Sequence, residues 1–429
     1  MREPVALPSR TDETPTRAPA PSAKPTNGHQ SPPTTVCMHV LTVGRTDARV
    51  LREATALVEA GYRVTLVDLE KDASRPVEED LFGVHFKHIV MPSRFVKSRF
   101  KPWFLVKMTR AVIRGAVVLA RTPADIYHAH DDNALHAAYL VALLRGKPLI
   151  FDAHELPYVQ PNITRWRTLC WMARNVLRVM MRRCSGVITV SPSIVDQIQQ
   201  RYGGKRATLV RNIPPYTPPI TSNRLREQLG CSPETRIALY QGAIQENRRL
   251  DILVRAAKYL SANQKIVLMG PGTSHRVLEA LIAEEGVADR VHILPPVPYD
   301  ELLLWTASAD VGLSIFDGSF SLNQKYCLPN KLFEYLMAGV PVVASQLEDV
   351  VEILDHYDVG VTTPSIEPEA VGHTIAALLE DTTHLEQMRQ NALVAARTEL
   401  RWDVESTHLF GLYKEILPAP HPALAPVAR

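Results

Sequence analysis

The stretch Pro329-Asn330-Lys331-Leu332-Phe333-Glu334-Tyr335-Leu336-Met337-Ala338-Gly339-Val340-Pro341-Val342-Val343-Ala344-Ser345 decides the fold. It reads as a loop, a short helix, a glycine stop and a strand. Lys331 and Glu334 fall in the first helical turn. Free N–H groups and the positive dipole end favour an anion there, most commonly phosphate. A carboxylate beside an anion site suits a ligand that also carries hydroxyls, as an acid does with a ribose. Phosphate with ribose points to a nucleotide. A carboxylate at a helix start is also stabilising with no ligand at all. Gly339 ends the helix, and the apolar Val340–Ala344 run suits a parallel strand covered on both faces.

The same alternation extends in both directions. Downstream of Ile213-Pro214-Pro215-Tyr216-Thr217-Pro218-Pro219, a stiff extended linker, strands are expected near 236–240, 265–269, 291–293, 311–315 and 341–344. Helical patterns lie at 250–260, 276–285, 299–307 and 370–379, with a last helix at 401–416. Upstream, strands are expected near 36–43, 64–68, 84–90, 126–129, 148–152 and 186–190, with an amphipathic helix at 47–59. Strands alternating with helices imply βαβ units and parallel sheets. The expected organisation is a disordered Pro-rich tail at 1–34, an α/β domain at 35–213 and a linker at 214–220. A second α/β domain follows at 221–400, then a helix at 401–417 and a Pro/Ala tail at 418–429. Ligands bind beyond the carboxyl ends of such strands, so a cleft between the domains is the expected site.

Composition narrows the class. The chain has 429 residues, 46% of them apolar, and a net charge of only +3, which does not suggest nucleic acid. Its five cysteines are scattered without C-x-x-C spacing, which argues for a reducing cytosol. The N-terminus lacks a signal-peptide core, and no apolar run approaches the ~20 residues of a membrane span. Two acid-free basic stretches, Arg94–Arg114 and Arg165–Arg183, carry interleaved aromatic residues. They suit the inner face of an anionic membrane, with Arg99, Lys101 and Trp103 as contact residues. They read equally as ordinary helices whose charges face water.

The ordered landmarks resemble a family 4 glycosyltransferase of the GT-B fold over about Val36 to Ile416. They are Asp47-Ala48-Arg49-Val50-Leu51-Arg52-Glu53-Ala54; Tyr127-His128-Ala129-His130-Asp131; Phe151-Asp152-Ala153-His154-Glu155-Leu156; Val190-Ser191-Pro192-Ser193; Tyr240-Gln241-Gly242; Met269-Gly270-Pro271-Gly272; and the Lys331–Ser345 run. The resemblance implies two Rossmann-like domains, with the C-terminal helix crossing back to the first. It implies retaining transfer of a hexose-type sugar from a UDP- or GDP-sugar to an acceptor hydroxyl. A glycan or lipid-linked intermediate in polysaccharide synthesis is the expected acceptor. No metal or cofactor is expected, so protein cations and helix ends hold the diphosphate.

By the same resemblance, Glu334 matches the second acid of an E-x7-E motif that binds the donor ribose. Arg248 matches a diphosphate contact, and at most one of Arg248 and Arg249 serves the site. Lys331 is placed as a second cation, with Asn330, Gly242 and Tyr326 as further donor-side residues. His154 matches a histidine that meets the donor sugar; His130 and Asp131 are its expected cleft neighbours, while His128 is expected to be buried. Two departures stand out: Tyr326 replaces the first acid, and Ala243 replaces a common arginine. His154-Glu155 is not a zinc-protease signature, because Tyr158 stands where its second histidine belongs. Two other readings fit the same cleft: a nucleotide-sugar epimerase, and a donor-binding protein without catalysis.

Overall fold

The structure, a computed structural model, describes residues 32–91, 101–157 and 167–417. Two sheets organise it. The first has the order β3-β4-β2-β1-β5-β6-β7-β8. Its strands are β1 (Thr35–His39), β2 (Arg63–Glu70), β3 (Glu78–Leu81), β4 (Val84–Val90), β5 (Ile126–His130), β6 (Leu149–Ala153), β7 (Gly186–Thr189) and β8 (Thr208–Leu209). Every pair is parallel except β3–β4. The second sheet is parallel throughout, with the order β11-β10-β9-β12-β13-β14. Its strands are β9 (Arg236–Gln241), β10 (Gln264–Met269), β11 (Val291–Leu294), β12 (Val311–Ser314), β13 (Val342–Ala344) and β14 (Gly360–Thr362).

Two Rossmann-like α/β domains therefore result, as the alternation implies. The strand order reverses between β1 and β5 and between β9 and β12, the two switch points where such sheets bind ligands. Strand β13, from the opening stretch, is fully buried between β12 and β14.

Several elements differ from expectation. Strand β1 stops at His39, not near 43, because the chain leaves the sheet for a 3-10 turn at Gly44–Thr46. The Gly44 N–H donates to the Asp68 carboxylate at 2.8 Å, which fixes that turn. The antiparallel hairpin β3–β4 was not expected: Glu-Glu-Asp-Leu shows no apolar alternation, and the hairpin is made by positive φ at Phe82 and Gly83. The expected helix at 250–260 is Asp251–Ala256, followed by a 3-10 turn. Helices Glu348–Tyr357 and Thr382–Thr398 were not foreseen.

The last helix, Trp402–Ile416, returns to the first domain. Its Leu409, Leu412 and Tyr413 join the core under β1 and β2. The Tyr413 hydroxyl meets His128 Nδ1 at 2.9 Å, and Glu405 accepts from Arg211 at 2.7 Å. The domains also touch beside the cleft. Asn323 accepts from the Leu156 N–H and donates to Glu155, while Asp349 accepts from Ser193.

Candidate functional site

The cleft between the two sheets has a volume of about 870 Å³. Its second-domain wall begins with two loops that interlock through their backbones. A Cβ on Gly270 would sit 2.0 Å from the Gly242 oxygen, and one on Gly272 would sit 1.8 Å from the Ile244 oxygen. Gly242 and Gly270 also hold φ of +131° and +150°. Bare backbone thus faces the cleft after β9 and β10.

The helix Asn330–Met337 starts at this wall, with Pro329 at its N-cap. Asn330 is exposed at its first position, and Lys331 is buried behind it. The Lys331 Nζ has no hydrogen-bond partner among the described residues. It lies 3.5 Å from the Tyr240 ring centre and 5.4 Å from that of Phe316, whose ring also faces the Arg248 guanidinium at 5.7 Å. Burial, and then the Arg248 charge, pull the lysine well below its usual range. Glu334 accepts from Gln241 Nε2 at 2.6 Å, and burial pushes its carboxyl up. Gln241 in turn accepts from the Thr306 hydroxyl at 2.8 Å. Arg248 lines the cleft, whereas Arg249 pairs with Asp251 and Asp317 outside it.

The first-domain wall is an ionic cluster. Asp152, at the end of β6, is fully buried. Arg49 grips it twice, through Nε at 2.8 Å and Nη2 at 2.7 Å, and its Nη1 donates to the Val210 oxygen. Such a fork-on-carboxylate pair is among the stronger hydrogen-bonded contacts. His154 Nε2 lies 2.9 Å from Asp152 Oδ2, and its Nδ1 lies 3.5 Å from Asp131 Oδ2. Burial opposes charge on His154, but the Asp152 and Asp131 carboxylates outweigh it and lift the imidazole to about 9. Burial pushes Asp131 up to about 6. Asp131 also holds a φ of +64°, a strained conformation for a residue with a side chain, of the kind that clusters at functional sites.

Glu53, His128, His130 and Asp152 bring ligand-type atoms within 4.8 Å of one another. The donor set does not suit a dication. Both Asp152 oxygens are already taken by Arg49, and the guanidinium stands 3.0 Å from Glu53. A metal there would face a fixed positive charge at contact distance.

Two expected positions are corrected. His130 is not a cleft residue: it is completely buried at the centre of the sheet, stacked 4.4 Å from His128, and its Nδ1 meets Asp152 at 3.1 Å. Tyr326 does not face the donor cleft either. The helical turn Leu322–Lys325 carries it across to the first domain's core, and its carbonyl accepts from the Ser191 hydroxyl at 2.8 Å. Arg99 lies outside the described residues, as do the side chains of Lys101 and Trp103, which sit in the first turn of the helix Lys101–Ala120.

Sequence reasoning missed Asp152 and Arg49 as parts of the site. A signal for Asp152 existed: residues two apart on a strand point the same way, so Asp152 shares the direction of His154. Arg49 carried no such signal, since its partner is 103 residues away.

Two family profiles match the chain: "Glycosyltransferase Family 4" over residues 47–214 and "Glycosyl transferases group 1" over residues 221–394. A D-inositol 3-phosphate glycosyltransferase of Xylanimonas cellulosilytica is 25% identical over 400 residues, spanning 87% of this chain and 92% of that protein. Among solved structures, the sucrose-phosphate synthase of Thermosynechococcus elongatus superposes with a TM-score of 0.72 at 15% identity, covering 89% of this chain and 99% of that one. Anabaena HepE, solved with UDP and glucose, gives 0.66 at 16% identity, covering 89% and 100%. Those two likenesses speak for the fold.

Proposed function

Because the chain belongs to the family 4 glycosyltransferases of the GT-B fold, we propose that it is a retaining transferase using a nucleotide-diphosphate sugar. The observation that carries this reading is Lys331, a buried amine with no hydrogen-bond partner among the described residues, aimed at the cleft next to Arg248. Two cations and an open helix start ask for a dianion such as a diphosphate. Glu334, one turn along the same helix, would exchange Gln241 for ribose hydroxyls. The close backbones of Gly242 and Gly270 leave room for the pyrophosphate. Pro296, Val297 and Leu302 line an apolar end of the cleft that suits a base.

The donor sugar would then lie against His154. In the mechanism we favour, the bond from the anomeric carbon to the diphosphate breaks, the acceptor oxygen bonds that carbon on the same face, and the departing phosphate oxygen takes the acceptor proton, so configuration is kept. Lys331, Arg248 and the helix N–H groups stabilise the developing charge, so the reaction is read as metal-independent. HepE, solved with UDP and glucose, makes UDP-glucose the first donor to try. The acceptor is read as a hydroxyl of a lipid-linked or cell-surface glycan intermediate. Relatives named D-inositol 3-phosphate glycosyltransferase add phosphorylated polyols to that screen.

The test is a thermal-shift panel of UDP, GDP, ADP, dTDP and their sugars, with and without magnesium. A ligand that binds only the native state raises its melting temperature. A metal-independent shift from one nucleotide family supports the reading. No shift from any of them overturns it.

A second reading concerns where the enzyme works. The helices Lys101–Ala120, Asp131–Arg145 and Arg167–Arg183 lie side by side on one face of the first sheet. They expose Ile113 (58%), Leu144 (77%) and Trp171 (62%), with Met172, Val176 and Val179 also outward. Arg110, Arg114, Arg174, Arg178, Arg182 and Arg183 are exposed among them, and the first and third helices contain no acid. Among the described residues, no helix is long and apolar enough to cross a membrane. We read this face as docking on an anionic bilayer surface, at about 1 kcal/mol per basic residue near it. Salt-sensitive cosedimentation with phosphatidylglycerol vesicles, and none with phosphatidylcholine alone, is the expected result. Equal behaviour with both removes the reading.

A further inference from the structure

His154 stands between two carboxylates, and its two ring nitrogens are not treated alike. Nε2 is 2.9 Å from Asp152, which is completely buried and gripped twice by Arg49. Nδ1 is 3.5 Å from Asp131, which is partly open to solvent. An ionised carboxylate only accepts hydrogen bonds, and a neutral imidazole has a single N–H. A neutral His154 would therefore turn a lone pair towards one of the two acids.

The remaining neighbours do not relieve this. His130 Nδ1 donates to the same Asp152 oxygen and lies 3.2 Å from His154 Nε2; burial keeps His130 low. Its ring crosses that of His154 edge-on, with centroids 5.4 Å apart, and so fixes the plane. Glu53 stands behind Arg49, held up by burial and by Asp152. Arg49 is the fixed cation that keeps Asp152 ionised, and Asp152 is the fixed anion that His154 answers.

We infer that Arg49 and Asp152 are positioning residues for the transfer reaction: they hold His154 as a doubly protonated imidazolium, Nε2 anchored, with the Nδ1–H available to exchange Asp131 for a donor oxygen. The identity of that oxygen rests on the donor-cleft reading above. The charge and orientation of the ring do not.

The cleft thereby gains a charged hydrogen-bond donor on its first-domain wall, opposite Lys331 and Arg248. The longer contact is the one that yields. When a sugar hydroxyl or phosphate oxygen arrives, Nδ1 exchanges one acceptor for another while Nε2 stays put. A ring held on one side and offered on the other is oriented before the ligand binds, which removes an ordering cost from the reactive complex.

The experiment follows ring nitrogens of 15N-histidine-labelled protein by NMR from pH 5 to 10, with His154 assigned by its loss in His154→Gln. The expected result is protonation of both nitrogens through neutral pH and a midpoint near 9. Asp152→Asn should lower that midpoint by at least roughly one unit, and Asp131→Asn by less. A wild-type midpoint at or below about 6.5, the ordinary histidine value, overturns the proposal. If Asp152→Asn does not fold, the wild-type titration and Asp131→Asn still decide. Turnover of UDP-glucose adds a second readout. Asp152→Asn should cut kcat at least roughly tenfold, leave KM within about twofold, and move the alkaline limb of the pH profile down with the NMR midpoint. A loss of activity with an unmoved limb makes Asp152 merely structural and overturns the role. A midpoint near 9 in a protein that ignores UDP-glucose keeps the positioning unit and refutes the donor reading instead.

Discussion

The Lys331 ammonium lies 3.5 Å from the centre of the Tyr240 ring and has no hydrogen-bond acceptor among the described residues. A ring face offers a desolvated cation about 2 kcal/mol. That is small against the several kcal/mol it costs to bury an ion. Folding therefore keeps a costly group at the cleft wall, and its compensation is expected from the ligand.

Replacing Lys331 should separate stability from function. Lys331→Met removes the buried charge and keeps the bulk. Its melting temperature should rise by roughly 1–3 °C, while UDP affinity falls at least about tenfold. Scanning calorimetry and titration calorimetry measure the two. A variant that binds UDP like the wild type would end the diphosphate assignment.

The direction of the Lys331 shift adds a proton to the binding reaction. Burial and the Arg248 charge hold the amine below its usual range, and a diphosphate beside it would pull it back up. Binding should take up a proton wherever the pH lies between the free and bound values, so affinity weakens as pH rises there. Titrations in buffers of different ionisation enthalpy read the uptake directly. An observed enthalpy independent of the buffer contradicts the linkage.

Glu334 should be tested against the group it is proposed to hold. Glu334→Ala should weaken UDP binding at least about tenfold, since it leaves ribose hydroxyls without a charged acceptor. The same variant should bind 2′,3′-dideoxy-UDP as well as the wild type does. Equal losses on both ligands would mean that Glu334 acts through the helix start.

His154 should leave a mark on stability. Its imidazole is raised to about 9 in the fold against about 6.5 unfolded. The stabilisation it brings is complete below about pH 6.5 and is lost as pH rises through about 9. The difference in melting temperature between wild type and His154→Gln should shrink over that window. A difference that stays flat from pH 6 to 10 would contradict the assignment.

Asp349 joins the domains away from the cleft. It is 5% exposed and accepts from the Ser193 hydroxyl at 2.8 Å and from the Ser193 N–H at 3.1 Å. Asp349→Ala should cost about 1–3 kcal/mol and lower the melting temperature, because buried donors lose their acceptor. UDP affinity should stay within about twofold, since the residue is remote from the donor wall. Unchanged unfolding would show that the contact carries no coupling.

Much of the frame was legible because its signals are local. Pro329, Lys331 and Glu334 mark one helix start, Gly339 one stop, and Val342–Ala344 one buried strand. Each depends on residues within a turn or two of each other. Glu-Glu-Asp-Leu at 78–81 was not legible as a strand, because an edge hairpin needs only a partner and a turn. Tyr326 was misplaced for a different reason. Counting back from Glu334 gives a position in a motif but no direction, and one helical turn sends the side chain to the other domain. His130 was assigned to the cleft by its place at a strand end, but β5 is central and covered on both sides.

The sequence by itself determined two α/β domains, a proline linker and the helix start at Lys331, since periodicity, capping and turn chemistry act over a few residues. Only the tertiary structure decided which charges meet. Arg49 finds Asp152 across 103 residues, and Arg211 finds Glu405 across 194. It also decided that, among the described residues, Lys331 stays without a hydrogen-bond partner. A charge is stabilised by whatever lies within a few ångströms, and that set is fixed by how the sheets and the returning helix pack.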